Sequence, residues 1–344
     1  MLNKILGLFS YDVGIDLGTS NTLVLVRGRG IVVREPSVVA VRTKGRDVLA
    51  VGQAARAMLG KTPTAITAVR PLRNGVISDF EVAERMLSYF IRLVHESPTG
   101  FPRIPCPRVV IGIPSLVTEV EQRAVSDAVR RAGAREVFLV QEPMAAAIGA
   151  GLPVEEARGS MVVDIGGGTT EIAVISLGGI VVGRSLKVAG DELDRAIVNY
   201  AREKFHLLLG ERTAEELKIR IGEALRIRGR RREAMMRGRD LKTGLPKTVA
   251  VTSEEIGEAI RGPLATIIAS VKDVLEDAPP ELIPDILDGG IILAGGVSQL
   301  RGIEKRFTRE LGSPVKVTDD PVTCVVRGAG VLLENPHLLR KVSL

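Results

Sequence analysis

The chain has 344 residues, is 45% hydrophobic and lacks tryptophan, which is enough apolar material for a large core and excludes a disordered chain. Cys106 and Cys324 are too few and too isolated for a disulfide framework or a zinc site, so a reduced, cytosolic protein is expected. The net charge of +6 fits either an ordinary basic surface or contact with anionic lipid or nucleic acid, and 3% aromatics do not make a single-strand stacking platform.

No apolar run approaches the roughly 20 residues that span a bilayer, and the first ten residues lack the parts of a signal peptide. A strand is predicted from Val13 to Asp16, then a Gly/Thr/Ser turn, then a second strand from Leu23 to Val26, with further strand-like runs through Val33 and Val38–Val41. Ser78 with Glu81 reads as a capping box, opening a helix whose stripe is Val82, Met86, Leu87, Phe90, Ile91 and Val94. Arg108–Ile113 and Gly290–Ala294 are apolar without alternation, the pattern of strands covered on both faces in a parallel or mixed sheet. Thr118 with Glu121 opens another helix, ended by Gly133. Thr213 with Glu216 and Thr252 with Glu255 mark two later starts, and Pro263 is expected to kink the last of these helices.

The chain repeats itself. Asp16-Leu-Gly-Thr-Ser-Asn-Thr22 and Asp164-Ile-Gly-Gly-Gly-Thr-Thr170 each end an apolar strand on Asp, turn through small residues, reach Thr six positions on and re-enter a strand. Two copies of one strand–turn–strand unit suggest a duplicated α/β domain with a cleft between its halves, divided near Gly149–Arg158. Turns of Gly, Thr and Ser let backbone N–H groups converge on a phosphate, and the hydroxyls of Thr19, Ser20, Thr169 and Thr170 add donors. Asp16 and Asp164, at strand ends facing one cleft, suit Mg²⁺ held through water. Leu293–Gly302 ends a strand in a third glycine cluster and is read as opening a helix whose N-terminus faces the ligand. Glu142, between the strand Glu136–Val140 and a helix begun by Pro143, fits a carboxylate that polarises an attacking water, or simple charge compensation of that helix.

These elements in this order resemble the actin/Hsp70/sugar-kinase superfamily. Within it the chain resembles the MreB/Mbl bacterial actins over nearly its whole length. The stretches that carry the likeness are Ile15–Thr22, Glu35-Pro-Ser-Val-Val39, Arg70–Phe80, Gln141–Gly149, Gly159–Glu171 and Asp320–Gly328. The resemblance implies a duplicated ribonuclease-H-like, actin-like ATPase fold: two lobes and four subdomains around a nucleotide cleft. One lobe would comprise residues 1–150 plus 319–344, with a small subdomain near 36–68. The other would comprise 151–318, with a small subdomain near 190–250. It implies ATP and Mg²⁺ as cofactors, with Thr19, Ser20 and Asn21 meeting the phosphates from one side and Gly167, Gly168 and Thr169 from the other. Glu215 and Lys218 would reach ribose and base, Gly295, Gly296, Val297 and Ser298 would complete the adenosine pocket, and Glu142 and Thr170 would serve hydrolysis.

The function so implied is an ATP-dependent actin with weak ATPase activity. It would polymerise into paired protofilaments at the inner face of the cell membrane, organise cell-wall synthesis with partners such as MreC, MreD and RodZ, and determine cell shape, with no nucleic acid. Membrane contact is expected from Leu2, Ile5, Leu6 and Phe9, which fall on one helical face, and from Phe101 and Ile104 in a proline-rich loop. The alternatives for those two segments are an arm and a loop packed on the body. A small-molecule kinase is the competing reading, but no second acidic site supplies its base. An Hsp70-type chaperone would need a substrate domain for which the sequence shows no room. The basic stretch Arg226–Arg239 reads as a solvated face or as a patch for anionic partners.

Overall fold

A computed structural model of the chain describes residues 10–96, 106–226 and 231–344. The hydrophobic runs condense into two five-stranded sheets. In the first, β1 (Val13–Leu17), β2 (Asn21–Val26) and β3 (Gly30–Pro36) form an antiparallel meander, and β4 (Arg108–Ile113) and β5 (Glu136–Gln141) add in parallel on the other side of β1. In the second, β6 (Ser160–Ile165), β7 (Thr170–Ser176) and β8 (Gly179–Leu186) repeat the meander, followed by parallel β9 (Ile291–Ala294) and β10 (Val315–Val317). The orders β3-β2-β1-β4-β5 and β8-β7-β6-β9-β10 are one topology used twice. The echo read in the sequence is thus a duplicated fold.

Alternation within the strands sorts the core into layers. Val13, Ile15, Val109 and Ile111 face the helices Phe80–His95 and Glu119–Arg131. Val110 and Val140 turn the other way, and from the second sheet Val162, Ala173 and Ile175 do the same. Between the two sheets lie the helices Glu142–Gly149 and Cys324–Glu334. They cross in contact: a Cβ on Gly149 would stand 1.9 Å from the Cys324 carbonyl oxygen, and one on Gly328 1.9 Å from that of Ala145. Any side chain at either place would force the helices, and with them the sheets, apart. The far face of the second sheet is covered by Leu264, Ile268 and Val271 of the helix Arg261–Asp277.

Smaller units flank each sheet. The strands Val39–Arg42, Val48–Val51 and Ile66–Val69 carry the short helix Gln53–Met58. The strands Leu207–Leu208, Glu233–Asp240 and Pro246–Thr252 pack on the helices Glu211–Ile221 and Ser253–Ala259. From Glu233 the basic stretch forms the middle strand of this three-stranded sheet, with Arg226 paired to Glu254 and Arg231 to Glu233, while Arg237 and Arg239 stay exposed.

The capping boxes at Thr118 and Thr252 form as read. Two other starts move. Asp79, not Ser78, caps the helix from Phe80, because its carboxylate reaches the Val82 N–H at 3.2 Å. The Thr213 helix begins earlier, at Glu211 after Gly210, and Thr213 sits inside it. Pro263 kinks nothing: the chain breaks at Ile260, and the proline falls in the first turn of the next helix, where no N–H bond is lost. Among the described residues no helix is long and apolar enough to cross a membrane.

Candidate functional site

The two repeated hairpins, β1–β2 and β6–β7, point their turns at each other. The approach is close because the second turn is bare backbone: a Cβ on Gly167 would stand 2.1 Å from Ser20 Oγ, and one on Gly168 2.5 Å from Thr19 Oγ1. Thr19 Oγ1 also accepts the Gly75 N–H at 3.0 Å, which ties the first turn to the segment after the small flanking sheet. Beneath the turns a cavity of about 340 Å³ opens. Asp16, Thr19, Ser20 and Asn21 line it from one side, and Asp164, Gly167, Gly168 and Thr169 from the other. Glu142, Glu215, Lys218, Gly295, Gly296 and Val297 complete the wall expected from the sequence.

Two expected residues stand off the wall. Thr170 is fully buried and its hydroxyl donates to the Val188 carbonyl at 2.7 Å. Its counterpart Thr22 does the same kind of work, at 2.9 Å from Ser37 Oγ, which itself donates to the Gly18 carbonyl at 2.6 Å. The repeated Thr therefore braces each hairpin against the chain leaving its third strand, and a catalytic role for Thr170 does not follow from its geometry. Ser298 is likewise turned inward, its hydroxyl donating to the Gly295 carbonyl at 2.6 Å. It shapes a 3₁₀ turn, Gly296–Gln299, and the α-helix expected after Leu293 starts only at Ile303.

The wall also includes residues the sequence did not single out. Gly190, Asp191 and Asp194 come from the start of the helix Gly190–Phe205; Gln299 ends the 3₁₀ turn, and Leu300 and Arg301 follow it; Pro321 and Val322 precede the helix Cys324–Glu334, and Val325 lies in its first turn. Gly190 and Asp191 arrive there because their N–H groups donate to the carbonyls of Gly166 and Gly167, at 3.1 and 2.7 Å. A Gly-Asp-Glu helix start was the available signal, too common to weigh alone. Lys218 is engaged: its ammonium donates to the Gly190 carbonyl at 2.9 Å and pairs with Asp194 at 2.9 Å. Glu215 meets Arg56 across the cleft mouth at 2.5 Å, and Arg70 meets Asp191 at 3.4 Å.

Electrostatically the cleft is loaded with carboxyl groups out of water. Burial raises Asp16 to about 7. Burial, then the Asp16 and Glu171 charges, raise Asp164 to about 8. Glu142 is pushed well above the carboxylate range by burial and then by Glu171, Asp16 and Asp164. Such a cluster favours a cation, since each carboxylate destabilises the next. Among the described residues, no three Asp, Glu, His or Cys groups stand close enough to bind one ion directly. Leu2, Ile5, Leu6, Phe9, Phe101 and Ile104 lie outside the described residues.

A doubled meander-plus-parallel sheet closing on one cleft, with a small-residue hairpin from each half, defines an actin-like protein. The solved structure of MreB 5 of Spiroplasma citri bound to AMPPNP superposes with a TM-score of 0.89 at 37% identity, covering 95% of this chain and 97% of that one. A MamK double helical filament subunit superposes with a TM-score of 0.79 at 25% identity, covering 95% and 99%. The family profile for MreB/Mbl proteins matches residues 10–341, and the chain belongs to that family. The cell shape-determining protein MreB of Escherichia coli (strain K12) is 52% identical over 338 residues, 97% of this chain and 96% of that one. The cell shape-determining protein Mbl of Bacillus subtilis (strain 168) is 48% identical over 337 residues, 98% of this chain and all of the other.

Proposed function

We propose that this chain is a membrane-associated bacterial actin that binds ATP with Mg²⁺ in the cleft, polymerises into paired protofilaments and organises cell-wall synthesis, thereby determining cell shape. The observation that carries the reading is the meeting of the two hairpin turns over one cavity ringed by buried carboxyl groups. The names of the relatives, which are cell shape-determining proteins, and the nucleotide-bound state of the Spiroplasma citri neighbour point the same way. No observation favours the small-molecule kinase.

In this reading Thr19, Ser20 and Asn21 hold the phosphates from one turn, and the Gly167, Gly168 and Thr169 backbone from the other. Gly295, Gly296 and Val297 bound the adenosine end, and Glu215, released from Arg56, reaches the ribose; Lys218 acts on the base end from its place beside Asp194. Asp16 and Asp164 hold Mg²⁺ through water, and the ion, when bound, neutralises phosphate charge. Glu142 accepts a hydrogen bond from the water that attacks the terminal phosphate, so it must be ionised to act. Residues 1–150 with 319–344 and residues 151–318 are proposed as the two lobes, whose closure on nucleotide sets the shape for assembly. The N-terminal face of Leu2, Ile5, Leu6 and Phe9, with Phe101 and Ile104, is proposed to enter lipid, weakly per copy and strongly along a filament. MreC, MreD and RodZ belong to the same proposal as partners.

Sedimentation with liposomes is the test. Filaments that pellet with lipid only when Mg–ATP is present support the proposal, as does weaker pelleting after removal of residues 1–9. A monomer under every condition, on lipid and off it, overturns it.

A further inference from the structure

Glu171 stands off the cavity wall yet touches what shapes it. It lies on β7 directly opposite Asp164 of β6 and is 1% exposed. One oxygen of its carboxylate accepts the Ser115 backbone N–H at 3.0 Å, and the other accepts the Ser185 hydroxyl at 2.5 Å. Ser185 is its neighbour on β8, within the same sheet. Ser115 is not: it follows β4 of the first sheet, in the turn that leads to the helix Glu119–Arg131. The Ser115 carbonyl in turn accepts the Gln141 side-chain amide at 3.4 Å. Gln141 is the last residue of β5, and the next residue is Glu142. A continuous set of hydrogen bonds thus runs from the second sheet, through Ser115, to the backbone that carries Glu142.

In the first hairpin the matching position carries no charge: opposite Asp16 stands Leu23, buried and on the cavity wall. Replacing a leucine's packing with a buried carboxylate is unfavourable unless its oxygens find donors, and Glu171 spends both on fixed partners.

We propose that Glu171 is a positioning residue for hydrolysis, fixing Glu142 in the cleft by holding Ser115 and, through it, Gln141. The inference rests on the nucleotide-hydrolysing reading of the cleft. It is tested on the full chain by single-turnover hydrolysis at saturating Mg–ATP, with nucleotide affinity measured separately. Glu171→Leu, which copies the first hairpin, slows turnover about tenfold while leaving Kd within about threefold, because only the step that needs Glu142 is disturbed. Glu171→Gln keeps an acceptor for the Ser115 N–H and a partner for Ser185, and restores most of the rate. Gln141→Ala, which leaves the core untouched, slows turnover as Glu171→Leu does, and the double variant is no slower than the worse single, as expected for one shared path.

Glu171→Leu at the wild-type rate overturns the inference, as does Gln141→Ala at that rate should Glu171→Leu fail to fold. A loss seen in Kd rather than rate, or Glu171→Gln as slow as Glu171→Leu, also overturns it. Glu142→Ala separates the two levels. If it is slow while Glu171→Leu is not, only the positioning role falls; if it hydrolyses like the wild type, the hydrolytic role of Glu142 falls and takes this inference with it.

Discussion

The hairpins at Asp16 and Asp164 share a backbone and differ in nearly every job done by a side chain. Both place Asp one residue before the end of the first strand, and both use Thr six residues later as a brace. The first turn then supplies hydroxyl and amide groups, Thr19, Ser20 and Asn21, while the second supplies glycine backbone, Gly166 to Gly168. Opposite the aspartates stand Leu23 in one and Glu171 in the other. Duplication explains the shape of the cleft; divergence within the copies explains why the cleft has a front and a back. A turn that carries side chains can meet a turn that has none, and the first turn could not meet its own copy so closely.

The largest effect should come from spoiling that complementarity. Gly168→Val drives a side chain into Thr19, whose Oγ1 lies 2.5 Å from a Cβ there. An overpacking cost of about 1–3 kcal/mol corresponds to roughly 5- to 150-fold weaker nucleotide binding, read by titration with a fluorescent ATP analogue. Wild-type affinity in this variant would break the comparison at its centre.

The two aspartates sharpen it through pH. Both carboxyls rise from an ordinary 3.8, to about 7 at Asp16 and about 8 at Asp164, so the nucleotide-free folded chain binds protons that the unfolded chain has released. Stability is therefore fully present below the unfolded value and falls as pH climbs through the folded ones. The Tm without nucleotide should drop between about pH 5 and pH 8, and Asp164→Asn should flatten the drop more than Asp16→Asn. A Tm that rises over that window would contradict the burial of these groups. The braces come next. Thr22→Val and Thr170→Val each remove a buried donor and should cost about 1 kcal/mol of stability by denaturant unfolding, leaving nucleotide affinity unchanged. A Thr170→Val variant that folds normally and fails only in hydrolysis would return Thr170 to the chemistry. The smallest effect is expected at the mouth. Arg56→Ala breaks a part-buried pair with Glu215, 27% and 21% exposed, and should change stability by less than about 1 kcal/mol while freeing Glu215 for the ribose and slowing nucleotide release a few-fold in stopped flow.

What the sequence revealed, it revealed where structure is local. The Asp–small–Thr pattern fixes a strand end, a turn and a return strand within ten residues, so both hairpins and the aspartates were readable, and so was the duplication. Thr118 and Thr252 were readable as helix starts for the same reason. Ser78 misled because Asp79, one residue on, is the better cap, and Thr213 because Gly210 and Glu211 open the helix a turn sooner. The far walls of the cleft could not be read. Asp191, Pro321 and Val325 reach it only through packing of segments far apart in the chain, and the engagement of Lys218 by Asp194 requires two helices to lie side by side. Glu171 closes the stretch Gly159–Glu171 and gives no local sign of its task, since its partners Ser115 and Ser185 come from elsewhere.

The central proposal is that the two hairpins form a single nucleotide site. Titration of Mg–ATP against the wild type, Asp16→Asn and Asp164→Asn by calorimetry tests it. One nucleotide per chain, with each substitution alone weakening Mg-dependent binding by about tenfold or more, is the predicted result. Two sites per chain, or a cleft indifferent to one of the aspartates, would contradict it.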